Sequence, residues 1–225
     1  MQKYRIERGD APIWFRWLLP LLALVVTFIL TSGLILMAKV NPLTTYYNLL
    51  FAPLSSRVGF LEVLVKSTPL MLTGIAVTIA FVAGYYNIGA EGQLYAGAIA
   101  AAWLGTVLVN VPTALAILIM LVGGFAAGVL WALVPALLRT VLDVDEVVTT
   151  LLTNSIMLFL VSAILNGPWR DEESGWPQSP EILTNTQLPK LVARSRLHVG
   201  FLIAIAVILV IWFILTRTSF GLRVR

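Results

Sequence analysis

From Gly92 to Leu138 the chain runs for 47 residues without one charged side chain. As a single helix, at about 1.5 Å per residue, this run would reach roughly 70 Å. That is more than twice the depth of a bilayer core of about 30 Å. A water-soluble fold could not bury this run together with the other uncharged stretches beside it, whereas lipid accepts them all. The composition agrees: 59% of the 225 residues are hydrophobic and 12% are charged, against about 25% charged in soluble domains. In hydrocarbon every backbone N–H and C=O needs an internal partner, so these stretches are expected to be helices. The predicted class is an all-α integral membrane protein.

The charged residues parse the rest. Six uncharged stretches predict about six transmembrane helices at 17–38, 67–86, 91–109, 113–138, 146–165 and 199–216, in one domain covering 1–225. The long run is divided by the Asn110-Val111-Pro112 break. The first stretch, Trp17 to Ala38, is longer than the apolar core of a signal peptide, about 7–15 residues, and reads as a retained span. Lys39 to Lys66 reads as a polar, Pro-containing connector with a short apolar segment around Phe60. The basic residues Lys3, Arg5, Arg8 and Arg16 before the first span favour a cytoplasmic N-terminus. The connector 166–198 is then extracytoplasmic. It holds Pro168, Pro177, Pro180 and Pro189 with an acidic patch at Asp171, Glu172 and Glu173, and is either an ordered surface loop with a short helix or a docking surface. Small residues such as Gly97, Gly105 and the GxxxG pair Gly124/Gly128 suit close helix packing in lipid.

Several chemistries are excluded. There is no cysteine and one histidine, His198, so thiol nucleophiles and His-rich metal clusters are absent, and no metal or cofactor is expected. None of the lysines follows a glycine, so there is no GxxxxGK phosphate loop, and no GxSxG or HExxH occurs. The chain is not expected to be an enzyme, and any ATP hydrolysis must come from another chain. The basic side chains flank the apolar stretches, which suits lipid headgroups and not nucleic acid.

Two segments stand out as polar. Gly84-Tyr-Tyr-Asn-Ile-Gly-Ala-Glu-Gly-Gln93 sets Asn87, Glu91 and Gln93 among glycines between two apolar stretches. Glycine allows backbone conformations that a helix forbids. Such a junction is either a broken helix lining a cavity or a tight helical hairpin with Glu91 in the first turn of the next helix. The second segment is Asp143 to Asn154. Asp145 and Glu146 are helix-start residues, and Glu146, Thr150 and Asn154 recur every four residues as a polar stripe. A pathway-lining face and interhelical hydrogen bonding explain that stripe equally well.

Tyr86-Asn-Ile-Gly-Ala-Glu-Gly-Gln-Leu94 closely resembles a segment of bacterial ABC importer permeases for simple sugars and nucleosides. These share a superfamily with branched-chain amino-acid and ribose permeases. Asp145-Glu-Val-Val-Thr-Thr-Leu-Leu-Thr-Asn154, Asn166-Gly-Pro-Trp-Arg-Asp171 and Thr218-Ser-Phe-Gly-Leu-Arg-Val-Arg225 are similar to later segments of the same family, in the same order. The resemblance implies a multi-pass subunit of the bacterial inner membrane that carries a small polar solute such as a nucleoside or simple sugar. It implies as partners a second permease subunit, ABC ATPase subunits that hydrolyse ATP, and an extracytoplasmic solute-binding lipoprotein. It implies that the junction holding Asn87, Glu91 and Gln93 lies near the substrate pathway, and Thr150 and Asn154 of the polar stripe are the further pathway candidates. Family members continue beyond Arg223 into a coupling helix and further spans, so the chain is expected to be a front portion. An ion-coupled transporter, with Glu91 as the sole intramembrane candidate for coupling, and a scaffolding membrane subunit are the alternative readings.

Overall fold

The computed structural model describes residues 12–224; the basic residues Lys3, Arg5 and Arg8, which support the orientation reading, lie outside them. Regular structure among the described residues is helical, apart from a single bridge between Lys190 and His198. The chain divides into two compact units, Met1–Phe60 and Leu61–Arg225.

In the first unit α1 (Ile13–Met37) is followed by α2 (Pro42–Leu50) and α3 (Ala52–Ser55). The hydroxyls of α1 are satisfied on their own helix, Thr27 on the Ala23 carbonyl at 2.7 Å and Ser32 on the Phe28 carbonyl at 2.6 Å. This is how Ser and Thr tolerate an apolar helix. Lys39, at φ 59°, stops the helix. The Val40 N–H then returns to the Ile35 carbonyl and that of Lys39 to Leu36, a Schellman closure. Asn41 restarts the chain by accepting the Leu43 N–H at 2.9 Å. α2 folds back so that the Tyr46 hydroxyl donates to the Phe28 carbonyl at 2.8 Å, with its ring edge-on to Phe28.

The second unit takes in α4 (Arg57–Val82, beginning in the first unit), α5 (Ala90–Val107), α6 (Thr113–Leu142), α7 (Glu146–Asn166), α8 (Gly200–Arg217) and α9 (Ser219–Val224). Among the described residues, helices α1, α4, α6, α7 and α8 are long and apolar enough to cross a membrane. Helix α5 occupies the stretch read as the third span. It has 18 residues and carries Glu91 and Gln93 in its first turn, which keeps it below that mark. Helix α4 begins well before the uncharged stretch 67–86, because a charge does not stop a helix when it finds a partner. The Arg196 Nε donates to Glu62 Oε1 at 3.0 Å, and its Nη2 engages the other oxygen. The helix also ends earlier, at Gly84, whose φ of 74° closes a second Schellman motif through Tyr85 N–H on the Ala80 carbonyl at 2.9 Å.

Helices α5, α6 and α7 pack on one another. Where α5 crosses α6, a Cβ on Gly97 would stand 2.8 Å from the Gly124 carbonyl oxygen, and one on Gly124 3.1 Å from that of Gly97. A Cβ on Gly128 would stand 3.3 Å from the Gln93 carbonyl. Both members of the GxxxG pair therefore let the α5 backbone in, where dispersion and not hydrophobicity holds helices together.

The connector 166–198 closes the other end of α5. The last carbonyls of a helix have no partner within it. Here the Leu183 N–H and the Thr186 hydroxyl donate to the Gly105 carbonyl at 2.9 and 3.2 Å. The Asn185 Nδ2 bridges the carbonyls of Leu108 and Val111 at 3.1 and 2.9 Å. Thr186 and Leu197 are buried. Nearer the start of the connector, hydrogen bonds from Ser174 and then Gln178 hold the Asp171 carboxyl below its ordinary range.

Three expectations follow. Gly97→Ala or Gly124→Ala forces α5 and α6 apart and costs about 1–3 kcal/mol, read as a lower unfolding midpoint in detergent. Gly33→Ala, where a Cβ meets nothing within 4 Å, is neutral or gains up to about 1 kcal/mol of helix propensity. The Asp171 turn, whose carboxyl is depressed, is in place above the ordinary carboxylate range. It is lost as pH falls through the lowered folded-state value, observable as collapse of the Gln178 side-chain amide shifts in NMR.

Candidate functional site

Gly89, the residue before α5, has no side chain to cap the helix it opens, and the first N–H groups of a helix need partners. From α7 come a partner for one of these and a partner for an amide just ahead of the helix. The Ile88 N–H donates to the Thr150 hydroxyl at 3.1 Å, and the Gly92 N–H, in the first turn of α5, donates to Asn154 Oδ1. The other end of that amide, Asn154 Nδ2, donates to Glu91 Oε2 at 3.2 Å. Thr150 is fully buried and passes its own proton to the Glu146 carbonyl at 2.6 Å.

Within the junction Asn87 is buried. Its Oδ1 accepts the Gly89 N–H at 2.8 Å, and its Nδ2 donates to Gln93 Oε1 at 3.3 Å, with Gln93 Nε2 returning to Asn87 Oδ1 at 3.4 Å. The structure thus gathers the five at one junction, as an Asn87–Gln93 pair, an Asn154–Glu91 pair and Thr150 on the Ile88 amide. Glu91 is its exposed member; Gln93 and Asn154 are half-buried.

The glycines of the junction have two different reasons. Gly84 supplies a left-handed turn. Gly89 and Gly92 do not; they make room for α7. A Cβ on Gly89 would lie 3.1 Å from the Thr150 carbonyl, and one on Gly92 3.0 Å from Asn154 Oδ1. Of the two readings of the α7 stripe, interhelical hydrogen bonding describes what Thr150 and Asn154 do in this structure. Glu146, the third member, pairs instead with Arg139 Nε at 3.1 Å, while Arg139 Nη1 reaches Asp143 at 2.8 Å. That clamp on the α6–α7 corner is absent from the sequence reading. The i,i+4 spacing of Arg139 and Asp143 was its one visible signal.

The cluster sits deep. Asn154 is eight residues into α7, about 12 Å along a helix of about 31 Å, and Gln93 packs on Gly128, halfway along the 30 residues of α6. Beside it a groove of about 540 Å³ runs among α4, α5 and α6, with Thr73, Gln93 and Phe125 on its walls.

Thr150→Val leaves the Ile88 amide without a partner and Asn154→Leu leaves that of Gly92, each costing about 1–3 kcal/mol. Because both hold the same helix start, their effects are non-additive in a double-mutant cycle. Hydrogen exchange should accelerate first at Ile88 and Gly92.

The family described as the branched-chain amino acid transport system permease component matches residues 59–225. The chain is 32% identical over 227 residues to the glucose ABC transporter permease protein TsgB13 of Haloferax volcanii, covering 96% of this chain and 60% of that one. It is 30% identical to the guanosine ABC transporter permease protein NupP of Bacillus subtilis, covering 92% and 60%, and 29% identical to the nucleoside ABC transporter permease protein NupB of Lactococcus lactis, covering 92% and 59%. It therefore spans about 60% of the length of these relatives. No solved structure matches it significantly. With apolar helices of membrane-crossing length and a family match over most of its residues, this multi-pass membrane chain belongs to the branched-chain amino acid transport system permease family.

Proposed function

We propose that this chain forms part of the translocation path of an ABC importer for a small polar solute, a nucleoside or simple sugar. The observation that carries the reading is the polar cluster of Asn87, Glu91, Gln93, Thr150 and Asn154 at mid-depth of apolar helices. Polar side chains at that depth are costly unless paired or facing a path. Here each amide is partly paired and partly open. Among the described residues, Glu91 has one oxygen held by Asn154 and none on the other. A hydroxylated solute finds both donors and acceptors there.

In this reading the N-terminus is cytoplasmic, the connector 166–198 faces outward, and the protein lies in the cytoplasmic membrane of its cell. ATPase subunits, a second permease and an extracytoplasmic solute-binding lipoprotein complete the importer. ATP binding at the partner subunits favours one of two arrangements of α5 against α7, and only a difference in affinity between them can shift that equilibrium. Sliding α7 along α5 frees the Ile88 and Gly92 amides from Thr150 and Asn154, so the same groups that lock the closed arrangement become solute donors in the open one.

The test is uptake of radiolabelled guanosine and glucose by cells expressing the assembled importer. Glu91→Gln and Asn87→Ala should lower uptake at least fivefold with the chain still at normal abundance in the membrane. Uptake that collapses with a protonophore while ATP stays high marks an ion-coupled carrier. Uptake indifferent to both substitutions marks a scaffold, and either result overturns the proposal.

A further inference from the structure

Between Lys39 and Arg57 lie 17 residues, Val40 to Ser56, without a charge. That is fewer than the roughly 20 apolar residues a spanning helix needs, and the stretch folds as α2 and α3 instead of one long helix. At about 14 and 6 Å, the two helices cannot cross the bilayer core even end to end. Lys39 and Arg57 therefore belong to one membrane surface. The depth the segment reaches is set by Tyr46. Its hydroxyl donates to the Phe28 carbonyl of α1 and lies 2.7 Å from Thr31 Oγ1 and 3.1 Å from Ser32 Oγ. Phe28 precedes Met37, the last residue of α1, by nine positions, which puts this contact about 13 Å inside the end of the helix.

The side chains of α2 sort by face. At about 3.6 residues per turn, Leu43, Tyr47 and Leu50 share one side, next to Tyr46, and Thr44 and Asn48 share another. All five are exposed. The Tyr47 ring stacks on Phe51 with centroids 6.2 Å apart, carrying the apolar surface on toward the exposed Leu54 of α3. The hydroxyls of Thr45 and Ser55 turn back to the carbonyls of Asn41 and Phe51 at 3.0 and 2.7 Å. Pro42 and Pro53 open the two helices, where an N–H would lack a partner. These devices spare polar groups from hydrocarbon. The residues from Trp17 to Met37 of α1 are themselves exposed or half-buried, as befits a span facing lipid, and an apolar face pinned beside them meets the same medium. An amphipathic helix in the boundary between headgroups and acyl chains buries its apolar face by about 5–10 Å, with the Tyr46 ring here reaching deeper.

We infer that α2 and α3 form a re-entrant wedge in the leaflet where α1 ends, with the Leu43, Tyr47 and Leu50 face against lipid acyl chains and the Thr44 and Asn48 face toward the headgroups. This placement concerns the anchoring of the first unit and is independent of the solute carried and of the path it takes.

The chain has no cysteine, so a single nitroxide can be attached at any chosen site of the 225-residue chain without other changes. The sites are Leu43→Cys, Thr44→Cys, Tyr47→Cys, Asn48→Cys and Leu50→Cys, with Leu34→Cys on α1 as the lipid reference. All six native side chains are exposed, so the labels leave the packing in place. In lipid nanodiscs, power-saturation EPR reads collisions of each label with oxygen, which concentrates in lipid, and with nickel–EDDA, which stays in water. The oxygen-to-nickel ratio at Leu43→Cys, Tyr47→Cys and Leu50→Cys should lie within about twofold of that at Leu34→Cys, and about fivefold above that at Thr44→Cys and Asn48→Cys. Nickel access at the three apolar sites equal to that at the two polar ones places α2 in water. Low access to both reagents at the apolar sites places them under protein. Either result overturns the wedge.

Discussion

Much of the second unit depends on the way α5 begins. Its first turn lacks a capping side chain of its own, because Gly89 precedes it, and Asn154 of α7 takes the Gly92 amide of that turn while Thr150 takes the Ile88 amide just ahead of it. In water such amides would be served by solvent; in hydrocarbon an unpaired one costs several kcal/mol, on the order used for any buried polar group. The cap therefore fixes which residues of α7 face α5, at what height, and how near. The small residues follow from this closeness. Gly89 and Gly92 admit α7, while Gly97 of α5 and Gly124 and Gly128 of α6 let those two helices meet on the neighbouring side.

The two polar segments singled out in the sequence are the two halves of this one contact. Each is ambiguous alone. The Gly84–Gln93 junction has the composition of a broken helix and of a hairpin, and the Thr/Asn stripe that of a path and of a dock. Hydrogen bonds between residues some 62 positions apart join them, and such a pairing lies beyond the reach of local pattern. The distinct roles of Gly84, Gly89 and Gly92 are hidden for the same reason. A glycine is read in sequence as conformational freedom, whereas two of these three exist for the neighbour they let through.

Helix positions were legible to the extent that charge and helix ends coincide. Asn110-Val111-Pro112 lies in the interruption between α5 and α6, and Asp145 caps α7 through the Val148 N–H. Charge spacing misplaces the start of α4, because Glu62 lies inside that helix and is matched by Arg196 from a remote segment. The connector 166–198 has the proline content of an irregular loop. Its hold on the end of α5 rests on Asn185 and Thr186, two ordinary polar residues with no pattern around them.

Helix α5 and the residue leading into it are thus held at the start by residues 150 and 154, and the end of the helix by residues 183 to 186. Neither set exists when α5 leaves the ribosome, since the chain is made from its N-terminus at about 5–20 residues per second. For several seconds the least apolar of the long helices has both ends open. During synthesis α5 is a provisional element whose place is settled only after the connector has been made. The hydrogen bonds that close its two ends therefore date from the arrival of α7 and of the connector, long after α5 itself has been made.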